Sequence, residues 1–210
     1  TNFCVQFLKK YKNKEIIFAF SQISDIQLNS LLSTNENNIE ESNNDLLEYI
    51  EFRLLYNKQW IINEIPLRNI IQDNIIFPYK HDKKGNICYI VRTRNFQQIK
   101  YTTEEVFRFI FYNTEKIVEK LEKSKKKLVI LWDRDGFDKQ QNYKEEVGQI
   151  FGIRRKSFTH NFLYLLDRIY ICNINFFYRM LFKVARVAFP KKYADKISLL
   201  GEKEELLKFF

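Results

Sequence analysis

Apolar and basic residues alternate at helical spacing through the opening stretch "FCVQFLKKYKNKEIIFAF" (Phe3–Phe20), a pattern that predicts two short helices. The pattern then lapses. "STNENNIEESNN" (Ser33–Asn44) is polar, acidic and Asn-rich with almost nothing to bury, and is expected to be a flexible insertion. A helix resumes over Asp45–Ile62, with Leu46, Tyr49, Ile50 and Leu54 on one face, and Pro66 and Pro78 punctuate the transition behind it.

From Gly85 the periods become regular. "GNICYIVRTRN" (Gly85–Asn95) is a β-branched run after a turn signal, hence a strand. Thr102 followed by Glu105 forms a capping-box signature for a helix running to about Lys123. "KLVILWD" (Lys127–Asp133) is a continuous apolar run with the look of a strand buried on both faces. A helical stretch broken near Gly152 is expected over Lys144–Leu166. "RIYICNI" (Arg168–Ile174) and "DKISLLG" (Asp195–Gly201) read as strands, and "EKEELLKFF" starts a last helix. Strands alternating with helices of this length predict an α/β fold with a mostly parallel sheet flanked by helices. The chain is expected to divide into a helical N-terminal region, residues 1–75, and an α/β domain, residues 76–210.

Between the last two strands lies "FFYRMLFKVARVAFPKKY" (Phe176–Tyr193). On a helix, Phe177, Leu181, Val184 and Ala188 form one apolar row, and Tyr178, Phe182, Ala185 and Phe189 a second beside it. Arg179, Lys183 and Arg186 make a basic ridge on the remaining side. A core helix and a helix that meets lipid both fit that pattern.

Composition sharpens the choice of partner. The 210 residues carry 35 basic against 26 acidic side chains, a formal net charge of +9, which favours an anionic partner. Aromatic residues reach 16%, mostly inside apolar runs, as a greasy core or cavity requires. Cys4, Cys88 and Cys172 lie far apart and His81 and His160 stand alone, so neither a disulfide framework nor zinc-ligand spacing is present, and reduced cysteines in a cytosolic protein are expected. No apolar run approaches the ~20 residues of a membrane span. The chain opens without a signal-peptide pattern, and its start at Thr1 and end inside a helical pattern are those expected of a trimmed chain.

"LVILWDRDGF" is the strongest enzyme-like signal. Asp133-x-Asp135-Gly136 after a buried strand resembles the nucleophile motif of haloacid-dehalogenase-type phosphatases. Phe137 stands where that motif takes a small residue, and no later strand ends in the acidic pair that would hold Mg²⁺. A calcium loop fails as well, because Asp138 and Lys144 occupy its Gly and Glu positions. The five glycines never reach phosphate-loop spacing, and Ser157 with His160 lacks a positioned acid. "KSKKK" (Lys123–Lys127) and "RRK" (Arg154–Lys156) lack interleaved aromatics, so no nucleic-acid partner is expected.

In order, these pieces resemble the CRAL-TRIO lipid-binding domain, the family of retinaldehyde- and tocopherol-binding proteins and of phosphatidylinositol/phosphatidylcholine transfer proteins. "GNICYIVR" is similar to its Gly-containing strand, with Ile87 in place of the usual proline. "LVILWDRDGF" is similar to its apolar strand and D-x-x-G element through Asp133 and Gly136. "RIYICNIN" matches its Asn-containing strand at Asn173, and "FFYRMLFKVARVAFPKKYADKISLLG" its helix, Pro-containing turn, Lys-Ile strand and Leu-Gly end. The resemblance runs from Gly85 to Phe210, with a weaker likeness of Phe3–Phe20 to the helical N-terminal region.

The resemblance implies one lipid held in a hydrophobic cavity between a sheet and a gate helix, exchanged at membranes without covalent chemistry and with no cofactor besides the lipid. Trp132, Phe177, Met180, Leu181, Val184 and Ala188 are then expected to line the cavity. Tyr164 replaces the glutamate of inositol-binding members, and Lys196 matches their headgroup lysine while Tyr193 replaces a threonine. Asp138 and Gln140 stand at the positions of phosphatidylcholine-binding Ser and Thr. The ligand is thus a phospholipid, phosphatidylinositol included, or another hydrophobic molecule. Arg179, Lys183, Arg186, Lys191 and Lys192 are expected to contact an anionic membrane surface, at about 1 kcal/mol each, or roughly 5 kcal/mol together. A cytoplasmic, peripherally membrane-associated protein follows; the rival reading keeps the fold as a cargo-free membrane- or protein-binding module. The family's sheet gains a further strand after the Glu-Leu-Leu helix, so the domain is expected to be cut short at Phe210.

Overall fold

A computed structural model describes residues 2–200 except 59, 61, 175, 177, 178, 181 and 183–190. The chain forms two compact units, neither contiguous in sequence: 1–66, 103–118 and 145–165 make the first, and 67–102, 119–144 and 166–210 the second. They cut across the linear division expected at residue 75.

The first unit is helical. α1 (Asn2–Lys10) and α2 (Lys14–Ser21) are the two short helices of the opening pattern, and Phe7 stacks on Phe20 with ring centroids 4.8 Å apart. α3 (Asp25–Thr34) opens with a capping box between Ser24 and Gln27. Ser33–Asn44 is not a flexible insertion. Ser33 and Thr34 complete α3, Glu36 and Asn37 turn the chain at positive φ, and Asn38 caps α4 (Ile39–Tyr56) by accepting from the Glu41 N–H at 3.1 Å. The stretch is ordered by polar burial instead of apolar burial. Asn35 Nδ2 donates to Asp45 Oδ2 at 2.9 Å, and His160 Nδ1 meets the same oxygen at 2.6 Å, with all three residues buried. α4 buries Leu46, Tyr49 and Ile50 as expected and also Phe52 and Arg53, and it ends at Tyr56 rather than Ile62. Arg53 stacks over the Trp60 ring and pairs with Glu115, a buried cation held by a ring and a carboxylate.

After α5 (Arg68–Gln72), α6 (Thr103–Ser124) runs from the first unit into the second, so its amino-terminal part supplies Phe107 and Phe111 to the aromatic core around Tyr49 and Phe52. α8 (Glu145–His160), which follows the short α7 (Lys139–Asn142), passes through Gly152 unbroken. The helix pays only the backbone entropy of a glycine there, since nothing lies within 4 Å of its missing Cβ.

The second unit holds a five-stranded sheet in the order β1 (Ile76–His81), β2 (Ile87–Arg92), β3 (Leu128–Asp133), β4 (Leu166–Cys172), β5 (Ile197–Leu199). β2 to β5 are parallel, and β1 pairs antiparallel with β2. β1 was hidden by Pro78, which an edge strand tolerates because a whole row of its backbone groups has no ladder to join, and the register shifts between Pro78 and His81. α9 (Lys191–Ala194) leads directly into β5. The final helix expected over 202–210 lies outside the described residues.

Candidate functional site

Strand register sorts the side chains of the sheet into two faces, because cross-strand partners project to the same side and successive residues to opposite sides. On one face Cys88, Val129 and Leu131 form a buried cluster, with Ile90 and Tyr170 packed against it. On the other, Tyr89, Ile130, Ile169 and Ile197 make one row, and Val91, Trp132, Ile171 and Leu199 the next. All but Tyr89, which is buried and has the Lys120 ammonium over its ring, are only half-buried. β3 is therefore not buried on both faces. At ~4.8 Å between strands, the two rows make an apolar floor about 14 Å wide.

This floor offers hydrophobic and dispersion contact and almost no polar chemistry. The one indole N–H on it, Trp132 Nε1, donates to Thr93 Oγ1 at 2.8 Å and is thereby satisfied. Of the expected cavity residues that lie among the described ones, Trp132 stands on this floor. The others of the floor were missed because an apolar residue on either face reads alike in a continuous apolar run; only the register separates them.

At the carboxyl end of the strands the chain is held by polar contacts. The buried Asp133 carboxylate accepts from Asn173 Nδ2 at 2.7 Å and from the Asp135 N–H at 3.0 Å. Asn173 has φ +57°, a conformation Asn tolerates, and turns the chain out of β4. Gly136 takes φ +64° against Arg94, which pairs with Asp135 at 3.0 Å. Asp133 therefore ties the β3 and β4 ends together. Among the described residues no group of three His, Cys, Asp or Glu is placed to hold a metal.

The remaining expected site residues are dispersed. Asp138 and Gln140 are exposed, and the Asp138 carboxylate caps α7 by accepting from the Gln140 N–H at 2.8 Å. Tyr164 is exposed in the turn after α8 and belongs to the helical unit. Lys196 lies at the amino end of β5, half-buried, with its Nζ donating to the Leu166 carbonyl. Burial lowers its pKa and the neighbouring Lys127 lowers it further, against a smaller opposing effect of Asp167. Strand alternation gives Lys196 the opposite side to Ile197, so it is not on the floor.

Phe176, Arg179, Met180 and Phe182 are helical. Arg179 is not a free outward cation: it is half-buried, and its Nη2 donates to the Leu200 carbonyl at 2.9 Å at the end of β5. Phe176 and Met180 are the exposed pair, at 78% and 47%. Lys191 and Lys192 are exposed on α9. Phe177, Leu181, Val184, Ala188, Lys183 and Arg186 lie outside the described residues. No described helix is long and apolar enough to cross a membrane.

Comparison with known proteins agrees with this architecture. The crystal structure of Sfh5 matches with a TM-score of 0.55 at 13% identity, over 92% of this chain and 67% of that one, a likeness of fold. No curated protein matches the chain. The family model of the CRAL/TRIO domain matches residues 71–210, which contain all five strands and the whole apolar floor. The chain therefore belongs to the CRAL/TRIO domain family, a family of lipid-binding and lipid-transfer proteins.

Proposed function

We propose that this chain is a cytoplasmic lipid-binding and lipid-transfer protein that lays one lipid's tails on the apolar floor of β2–β5 and exchanges it at membranes. It carries out no covalent chemistry and needs no cofactor besides that lipid. The observation that carries this reading is the pair of four-residue rows, apolar throughout and half-buried in seven of eight positions. Burying that surface against hydrocarbon is favourable by about 25 cal/mol per Å². None of the eight floor side chains is charged, and Lys196, the residue matched to an inositol headgroup, is engaged with the Leu166 carbonyl. The ligand is accordingly assigned by its tails, with phosphatidylinositol one of several headgroups to be tried. Asp133 acts in this reading as a tie between strands and not as a nucleophile.

Transfer of a fluorescent phosphatidylcholine between two vesicle populations tests it. In the double variant Ile130→Trp/Ile171→Trp the two indoles occupy the space above the floor. Transfer is expected to fall to the uncatalysed rate while circular dichroism stays unchanged. Equal transfer by wild type and folded variant contradicts the reading. Exposed Phe176 and Met180, one helical turn apart, favour a second reading as a cargo-free membrane module, in which the filled variant binds vesicles normally and neither protein carries lipid.

A further inference from the structure

Two of the eight floor side chains carry a polar atom, Tyr89 and Trp132. Tyr89 is buried with the Lys120 ammonium over its ring, whereas Trp132 is half-buried in the row nearer the carboxyl ends of the strands. An indole N–H donates and cannot accept. Left bare on an apolar surface, it is a point at which a lipid tail bearing an oxygen gains a hydrogen bond.

It is not left bare, because Thr93 Oγ1 accepts from Trp132 Nε1 at 2.8 Å. Thr93 is buried and opens the short 3-10 turn Thr93–Asn95 directly after β2. That turn is pinned by its neighbours. The Phe96 N–H donates to the Thr93 carbonyl at 2.9 Å, Asn95 Nδ2 to the Asp73 carbonyl at 2.8 Å, and Asn142 Nδ2 to the Phe96 carbonyl at 3.1 Å. The hydroxyl is thus held in place from outside the sheet.

With the N–H taken, a ketone or ester carbon laid over this row gives up its hydrogen bonds to water and finds no donor, a loss that a plain methylene chain does not meet. Breaking the Thr93 bond to reach the indole exchanges one acceptor for another and leaves the threonine unpaired.

We infer that Thr93 is a specificity-determining residue: by occupying the indole N–H of Trp132 it makes the floor discriminate against lipid tails that carry an oxygen acceptor and reserves it for plain hydrocarbon. This rests on the lipid-carrying reading and narrows the class of tail that the floor takes.

The experiment offers the purified chain vesicles holding two phosphatidylcholines in equal amount, one with plain saturated tails and one with a single ketone in one tail. The ketone is set near the ester, at mid-chain or near the methyl end in separate runs. Native mass spectrometry reads the ratio of the two lipids taken up. A lost packing contact lowers both uptakes and leaves the ratio alone, so the ratio reports the hydrogen bond and not the fold. Wild type and Thr93→Ser, which keeps the hydroxyl, are expected to favour the plain lipid by about tenfold in every run. Thr93→Val lacks the acceptor and is expected to lose about tenfold of that preference for at least one ketone position. Thr93→Val/Trp132→Phe is expected to regain it, because no N–H is left. A folded Thr93→Val protein with the wild-type ratio at every ketone position overturns the inference. So does a double variant whose ratio is not restored, which would assign the change to a group other than the indole. If no form takes up either lipid, the lipid-carrying reading itself fails and this inference with it.

Discussion

Asp45 shows how a single polar residue orders a stretch that composition alone reads as loose. Its carboxylate is the common partner of Asn35, ten positions earlier, and of His160, 115 positions later. Replacing it with Ala leaves two buried polar groups without that acceptor, and Asp45→Ala is expected to lower stability by about 3 kcal/mol in urea unfolding. A loss below 1 kcal/mol would mean that the cluster contributes little. The sequence displayed each of these residues but not their convergence, because pairing across such separations leaves no periodic trace. Cys88 offers a second test. Burial pushes its thiol from the ordinary value near 9 up to about 11. The unfolded thiol ionises first, so the stability that is whole below pH 9 is lost as pH rises to about 11. The thermal midpoint is expected to fall across that window more steeply in the wild type than in Cys88→Ala, and parallel curves would refute the assignment.

At the scale of elements, helices and strands were legible where period or a turn signal was strong: α1, α2, α6 and β2–β5 are all present. Reading failed where a local rule was overridden. Pro78 concealed an edge strand, and Gly152 suggested a break that α8 does not make. Gly152 and Gly136 are the two glycines with the sharpest contrast in backbone conformation. Gly152→Ala, in a helix with open space at its Cβ, is expected to stabilise by about 1 kcal/mol. Gly136→Ala, at φ +64° with the Arg94 Cβ 3.2 Å away, is expected to destabilise by about 1–2 kcal/mol. Thermal unfolding of the two variants reads both signs, and a destabilised Gly152→Ala would show that α8 bends there in solution.

For the whole molecule, the order of strand, D-x-x-G turn and Asn-ending strand was visible in the sequence, and the structure adds that Asp133 and Asn173 of those two elements bond to each other. The candidate site was legible only in outline. Trp132 shares the floor with Ile130, Ile169, Ile171, Ile197 and Leu199, which emerge from register alone, while Asp138 and Gln140 are exposed in the connection after β3. The proposed function rests on this floor holding a lipid. Native mass spectrometry of the purified protein, beside the Ile130→Trp/Ile171→Trp variant, tests it most directly. The wild type is expected to run heavier than the chain by one lipid, released as that lipid by organic extraction, and the folded variant at the bare mass. A wild-type protein at the bare mass, still bare after incubation with phospholipid vesicles, would contradict it.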